Sequence, residues 1–220
     1  ELRQLRMTTD EIKEYLNERN FSKSLDILKN KHNELVSKLK ELNELEESIR
    51  EKIIYLERVE KESDLQKVVF REMKSRQLLT LNEKINNNFE LCYGVLNLEN
   101  ILSEKTPILA SNRLGIIIEE MNLKLERFEE PSTIFIVAKN KEDIPNTYQM
   151  TIPGGLFACI RYNGELLTSR SESLREILHH LDTNNYQITG DALQIMHLDI
   201  TITDKPDEIT FEIQVPVQKL

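Results

Sequence analysis

For its first ninety-three residues the chain has neither glycine nor proline; Gly94 and Pro107 are the first of each. So long a run without helix breakers favours helix at the start and defers the turns. Within it, Leu28, Leu35, Leu42, Ile49 and Leu56 recur at a strict spacing of seven, and Leu25, Leu39 and Ile53 mark a parallel row that His32 and Glu46 interrupt. A sustained period of seven specifies a coiled-coil seam. About 40 residues from near Ser22 to Lys61, at ~1.5 Å each, make a rod of roughly 60 Å that cannot bury its own stripe. Nothing later in the chain offers a comparable helix. The spacing therefore predicts a homodimer, with Leu28, Leu35, Leu39, Leu42, Ile49 and Leu56 at the interface. His32 and Glu46 read as polar seam residues that set register; a pH response at His32 is the other reading.

Ahead of the rod, Thr8-Thr9-Asp10-Glu11 opens a short helix, with Thr8 as N-cap and Glu11 as its capping-box partner. Composition narrows the function. The formal net charge of −9 has the wrong sign for a chain that is mostly a nucleic-acid surface. Cys92 and Cys159 stand far apart with no CxxC neighbour, so neither a disulfide framework nor a cysteine metal site is expected. The charged N-terminus and the lack of any long apolar run predict no secretory signal and no membrane span. His179-His180 and His197 have no metal-ligand spacing around them, no nucleophile motif occurs, and Pro153-Gly154-Gly155 reads as a bend rather than a phosphate loop.

From Val68 the hydrophobic period changes to that of strands. Val68 to Met73 begins a strand leading through Leu78–Leu81, and residues 82–104 follow as a helix with Ile85, Phe89, Cys92, Tyr93 and Leu96 at helical spacing. Leu114 to Met121 and Ser132 to Ala138 read as strands. The order then repeats: Thr147 to Tyr162 extended and broken at Pro153-Gly154-Gly155, an amphipathic helix over 170–183, then a closing hairpin of Ala192–Thr203 and Glu208–Val217. This predicts an α+β chain in three parts: residues 1–21, a dimerisation helix over 22–63, and a duplicated β-α-β-β domain over 67–220.

Two parts of the chain carry a resemblance. Tyr148 to Tyr162, Tyr186-Gln-Ile-Thr-Gly-Asp191 and Glu208 to Pro216 are similar to the GyrI-like effector-binding domain. Leu2 to Leu16 resembles the last helices of the winged-helix domain of MerR-family transcription regulators, and the seam helix follows where that family places it. In the family the helix-turn-helix precedes the residue numbered 1 here. The resemblance implies a cytoplasmic, ligand-responsive regulator: a homodimer acting on promoter DNA together with RNA polymerase, with no enzymatic activity, no cofactor and no membrane partner. Two rivals are a stand-alone GyrI-like small-molecule binder or hydrolase and a coiled-coil adaptor.

In the multidrug-sensing members a pocket carboxylate and several aromatic rings hold flat cations. Laid on this sequence, the carboxylate position falls on Gln194, aromatic positions on Leu114, Gly164 and Ile209, and a neighbouring aliphatic on Met196. An amide offers hydrogen bonds but no charge to offset a buried cation's desolvation, so a small, largely apolar ligand is the expectation. Met196 and Gln194 on one strand face with Phe211 nearby suit either an adaptable apolar site or plain core. If Leu114, Ile116, Ile118 and Glu120 share a strand face, Glu120 is an acid at the pocket rim or a solvated strand end. Tyr93, Tyr148, Tyr162 and Tyr186 either line a cleft or pack a sheet edge.

Overall fold

The computed structural model describes residues 7–17, 20–61, 66–102, 114–138, 145–198, 202–205 and 207–220. Residues 1–6 of the winged-helix-like stretch and residues 199–201 and 206 of the closing hairpin lie outside them. Two compact units form, Glu1–Arg50 and Glu51–Leu220, so the unit that holds the sheet begins inside the long helix.

In the first unit, α1 (Thr9–Asn17) starts on the expected capping box. The Thr8 N–H donates to the Glu11 carboxylate, and the Glu11 N–H donates to Thr8 Oγ1 at 3.3 Å. The long helix α2 runs Phe21–Lys61, 41 residues. Its N-cap is Asn20, whose Oδ1 accepts from the Lys23 N–H at 2.8 Å. Along α2, Leu28, Leu39, Leu42 and Ile49 are exposed in the single chain, while Leu35 and Leu56 are half-buried.

The second unit holds strands β1 (Val69–Met73), β2 (Arg76–Ile85), β3 (Leu114–Ile118), β4 (Ser132–Val137), β5 (Gln149–Ile152), β6 (Gly155–Asn163), β7 (Tyr186–Ile188), β8 (Ala192–Leu198) and β9 (Thr210–Lys219), with helices α3 (Asn88–Leu102), α4 (Glu120–Lys124) and α5 (Arg170–Thr183). The strand order is β1-β6-β9-β8-β3-β4-β2-β5, with β7 on β9. Read from either end this order is a palindrome of the two halves: β1 answers β5, β6 answers β2, β9 answers β4, and β8 answers β3. The duplication expected from element order is thus written into the sheet, and each half lends its first strand to the other. The opening strand of each half bends into two, which gives the first half one strand more than β-α-β-β, and the second half gains a further strand, β7, on β9.

The bends lie side by side. Lys74-Ser75 separates β1 from β2, and Pro153-Gly154 separates β5 from β6, while β1 pairs with β6 and β2 with β5. A Cβ on Gly154 would come within 2.8 Å of Met73 O and 2.9 Å of Ser75 N, so only glycine admits this approach. The sheet curls strongly as a result: Arg76 on β2 donates to Gln214 on β9 although three strands separate them in the order.

The convex face carries the larger core, including Ile116, Ile134, Ile160, Phe211 and Ile213. There α3 lies on β2 and β4, and α5 lies on β6 and β7. The concave face holds a smaller core of Leu78, Ile117, Phe135, Phe157, Cys159, Leu193 and Ile195.

Two element boundaries depart from the sequence reading. The strand expected over Leu114–Met121 ends at Ile118, and Glu120 opens α4, its N–H held by Asp191 Oδ1 at 2.8 Å. An orphan helix donor meets an acidic side chain there, and the strand stops. Ile85, expected on a helix, closes β2. The helix waits for Asn87, whose Oδ1 accepts from the N–H groups of Phe89 and Glu90 at 3.0 Å each.

Candidate ligand site

Between α3 and α5 the middle strands β3 and β8 present their convex-face side chains to the gap. Gln194, Met196, Leu114 and Ile209 all pack into this region. Ile116 stands opposite Gln194, and Phe211 stands opposite Met196. Of the six expected ligand residues, Gln194, Met196 and Leu114 thus share one face of the paired strands β3 and β8, and Ile209, just ahead of β9, packs on the same core.

Gln194 is fully buried. Its Nε2 donates to the Tyr162 hydroxyl and to Leu166 O at 2.6 Å. Tyr162 in turn stacks on Phe211, with ring centroids 5.4 Å apart. Burial, first of all, pushes the Tyr162 hydroxyl well above the usual phenol range, with Arg170 and Gln194 opposing it. The amide hydrogens are thus given to the protein's own acceptors, while Oε1 is buried without a hydrogen-bond partner among the described residues. A carboxylate at this position would face Leu166 O with nothing to donate, so the neutral side chain fits the bonding pattern.

Glu120 and Tyr93 lie elsewhere. Glu120, at the head of α4 instead of on a strand, pairs with Lys124 one turn on. Tyr93 lines a separate cavity of about 390 Å³ between α3 and β2, together with Leu81, Glu83, Lys84, Ile85, Phe89, Glu90, Gly94 and Ile134.

The sequence reading missed a polar cluster on the concave face. Glu212, only 2% exposed, receives Arg71 Nη1 at 2.7 Å and Arg161 Nε at 2.8 Å, with Gln214 Nε2 on its other oxygen at 2.6 Å. His197 Nε2 lies 3.7 Å from the carboxylate, and its ring stacks on Tyr55 of α2. Burial raises the carboxyl's pKa, but His197, Gln214 and Arg71 together overcome it and hold Glu212 well below the usual carboxylate range. On the same face burial, reinforced by the Glu212 charge, pushes the Cys159 thiol up to about 12. Burial thus favours the un-ionised thiol, while the partners of Glu212 favour the ionised carboxylate. The signal was present in the sequence: Arg161, Glu212 and Gln214 alternate with apolar neighbours. That pattern reads as a solvated strand face, and only the curl of the sheet buries it.

Among the described residues no group of three or more His, Cys, Asp or Glu is placed to hold a metal ion, and no helix is long and apolar enough to cross a membrane.

No family model and no curated protein matches the sequence. Solved structures do match. The EcmrR–DNA complex in EcmrR-RPo, solved by cryo-EM, superposes with a TM-score of 0.53 at 14% identity and covers 100% of this chain and 80% of that one. A hydrolase from Listeria innocua gives a TM-score of 0.50 at 13% identity over 74% of this chain and 97% of that one. An uncharacterised conserved protein from Listeria innocua gives 0.50 at 14% identity, over 71% and 94%. At such identities the shared property is the fold, here a long helix followed by a duplicated α+β sheet domain.

Proposed function

We propose that the chain is the dimerisation and effector-binding part of a MerR-type, ligand-responsive transcription regulator. One observation carries the reading: the match to EcmrR in its DNA complex spans the whole chain, stem included, whereas the Listeria hydrolase matches over only 74% of it. A stand-alone binder or hydrolase has no use for 41 residues of seam helix. The exposed row of Leu28, Leu39, Leu42 and Ile49 supports pairing with a second copy, since contiguous apolar surface marks an interface.

In this reading the sheet domain senses a small, largely apolar molecule. Promoter DNA and RNA polymerase are engaged through the winged-helix part of the regulator, in the cytoplasm. Binding, not catalysis, is its task. Gln194 supports that: the carboxylate position of the family holds a neutral amide, already bonded to Tyr162 and Leu166.

Light scattering at micromolar concentration tests the dimer, and a dimer is expected. The double substitution Leu35→Lys with Leu42→Lys should yield monomers that keep the sheet domain's thermal transition. A monomeric unmodified chain would overturn the reading. The hydrolase alternative predicts turnover of small esters or epoxides above the buffer rate, and none is expected.

A further inference from the structure

We propose that the concave face of the sheet holds a second site, separate from the gap over β8, in which the free edge of the Arg76 guanidinium takes a small carboxylate. The two sites lie on opposite faces, so this one stands or falls apart from the sensing role proposed above.

The free edge is defined by what the rest of the group already does. Arg76 Nη1 donates to Gln214 Oε1 at 2.5 Å. The guanidinium carbon lies over the Phe157 ring, 5.2 Å from its centroid, so one face of the group is covered. Among the described residues Nε and Nη2 are buried without a hydrogen-bond partner. These two nitrogens aim their hydrogens side by side along one edge, a fork that matches the two oxygens of a carboxylate. An anion therefore has one place to bind, in the guanidinium plane against that edge. Arg76 is only half-buried and begins β2 beside the edge strand β5, which gives a small ion a way in from the sheet's edge.

Charge calls for the same occupant. The one acceptor that Arg76 has among the described residues is a neutral amide. Glu212 attracts it only through space, because the Glu212 oxygens are held by Arg71, Arg161 and Gln214. Burial, ahead of every other influence, lowers the Arg76 pKa from the usual guanidinium value, as expected of a cation short of a counter-ion. Acceptors are scarce around it as well. Among the described residues the Tyr55 hydroxyl and both ring nitrogens of His197 are buried without partners, and His197 stands beside Glu212. One uncompensated cation needs one negative charge, and the Glu212 carboxylate close by disfavours a dianion.

Acetate and acetamide share a shape and differ in charge. With the full chain at constant ionic strength, chloride making up the balance, acetate should shift the assigned Arg76 Nε–H resonance along a saturating curve and raise the thermal midpoint. Acetamide should bind at least about tenfold more weakly. Acetate should lose as much on Arg76→Lys, which keeps the positive charge and removes the fork. Gln194→Ala, on the opposite face, should leave acetate affinity within about twofold. Inorganic phosphate at alkaline pH should bind more weakly than acetate; tighter binding would overturn the carboxylate assignment. If no probe saturates up to roughly 100 mM, or acetamide matches acetate, or Arg76→Lys binds acetate as the unmodified chain does, water serves the free edge and the site is overturned. Should Arg76→Lys fold poorly, the acetate-to-acetamide ratio on the unmodified chain decides alone.

Discussion

The two halves of the sheet domain share a topology and differ in what fills it. Among the described residues the first half, β1 to β4, buries only Thr80 and Ser132 as polar side chains. The second half, β5 to β9, buries Arg161, Arg170, Ser173, Gln194, Thr210, Glu212 and Gln214. The helices differ in the same sense. In α5, Leu174, Ile177 and Leu181 face the core while Glu172, Arg175, Glu176 and His179 face water, an ordinary amphipathic division. In α3, Leu91, Val95, Leu98 and Ile101 face the core, yet the outer side is also apolar: Phe89, Tyr93 and Leu96 are all exposed. A buried hydrogen bond has one good geometry, whereas aliphatic contacts tolerate sliding. One half is therefore pinned by directional contacts, and the other is held by contacts that can adjust. A duplicated fold can divide labour in this way, with one half as frame and the other as receiver.

Removing one pin should destabilise the fold most. Arg170, 2% exposed, donates from Nε to Phe128 O at 2.7 Å, from Nη1 to Ser132 Oγ at 3.1 Å and from Nη2 to Glu130 O at 3.3 Å. It thereby fastens the start of α5 to the loop and strand entry of the other half. Arg170→Ala leaves three acceptors without their donor, at about 1–3 kcal/mol for each that stays dry. Urea unfolding should show a total loss of about 3–5 kcal/mol. The first half's best equivalent, Thr80, donates through Oγ1 to Ile134 O at 2.9 Å, and Thr80→Val should cost no more than about 1.5 kcal/mol. Equal costs would mean that the halves are pinned alike.

Alkali probes the same difference more gently. Cys159 and Tyr162, both on β6, are held un-ionised by burial. A thiol with a pKa near 9 when unfolded and about 12 when folded keeps its full stabilising effect below pH ~9. The effect is then lost as the pH rises toward the folded value, at about 1.4 kcal/mol per pH unit. The Tyr162 hydroxyl, raised in the same direction, adds to the slope above pH ~10. Thermal midpoints measured from pH 8 to 11 should fall accordingly, and Cys159→Ala should flatten the first part of the decline. A profile unchanged by that substitution would show that the thiol reaches water in the folded state.

Much of this organisation was legible in the chain, for identifiable reasons. The seam of α2 and the Thr8–Glu11 capping box are local patterns, and both helices form where those patterns place them. The duplication followed from element order. The bend at Lys74-Ser75 was not legible, because neither residue breaks a strand; the Pro153-Gly154 beside it, in the partner strand, was. The end of β3 at Ile118 depends on Asp191, far along the chain, and no window of sequence contains both. The amide at Gln194 was legible. Where its hydrogens go was not, since one acceptor is the backbone carbonyl of Leu166 in a loop. The Glu212 cluster escaped because alternation reports which residues share a face, and curvature decides which face is dry.

The first half also carries apolar surface that it does not need for folding. Phe89 and Leu96 lie on the outer side of α3, 83% and 58% exposed. Little apolar area leaves water at either position when the chain folds, so truncation removes almost no transfer free energy. Surface substitutions away from special features stay within about 0.5 kcal/mol. Phe89→Ser with Leu96→Gln should therefore leave the urea midpoint and slope unchanged within that margin. The corresponding side of α5 offers no such test, since its outer residues are already charged or polar. A loss above about 1 kcal/mol would mean the stripe is packed after all, and α3 would then be a conventional core helix like α5. If stability holds, the stripe is apolar surface that the fold itself does not use. That is the surface expected of a half whose helix contacts something other than its own chain.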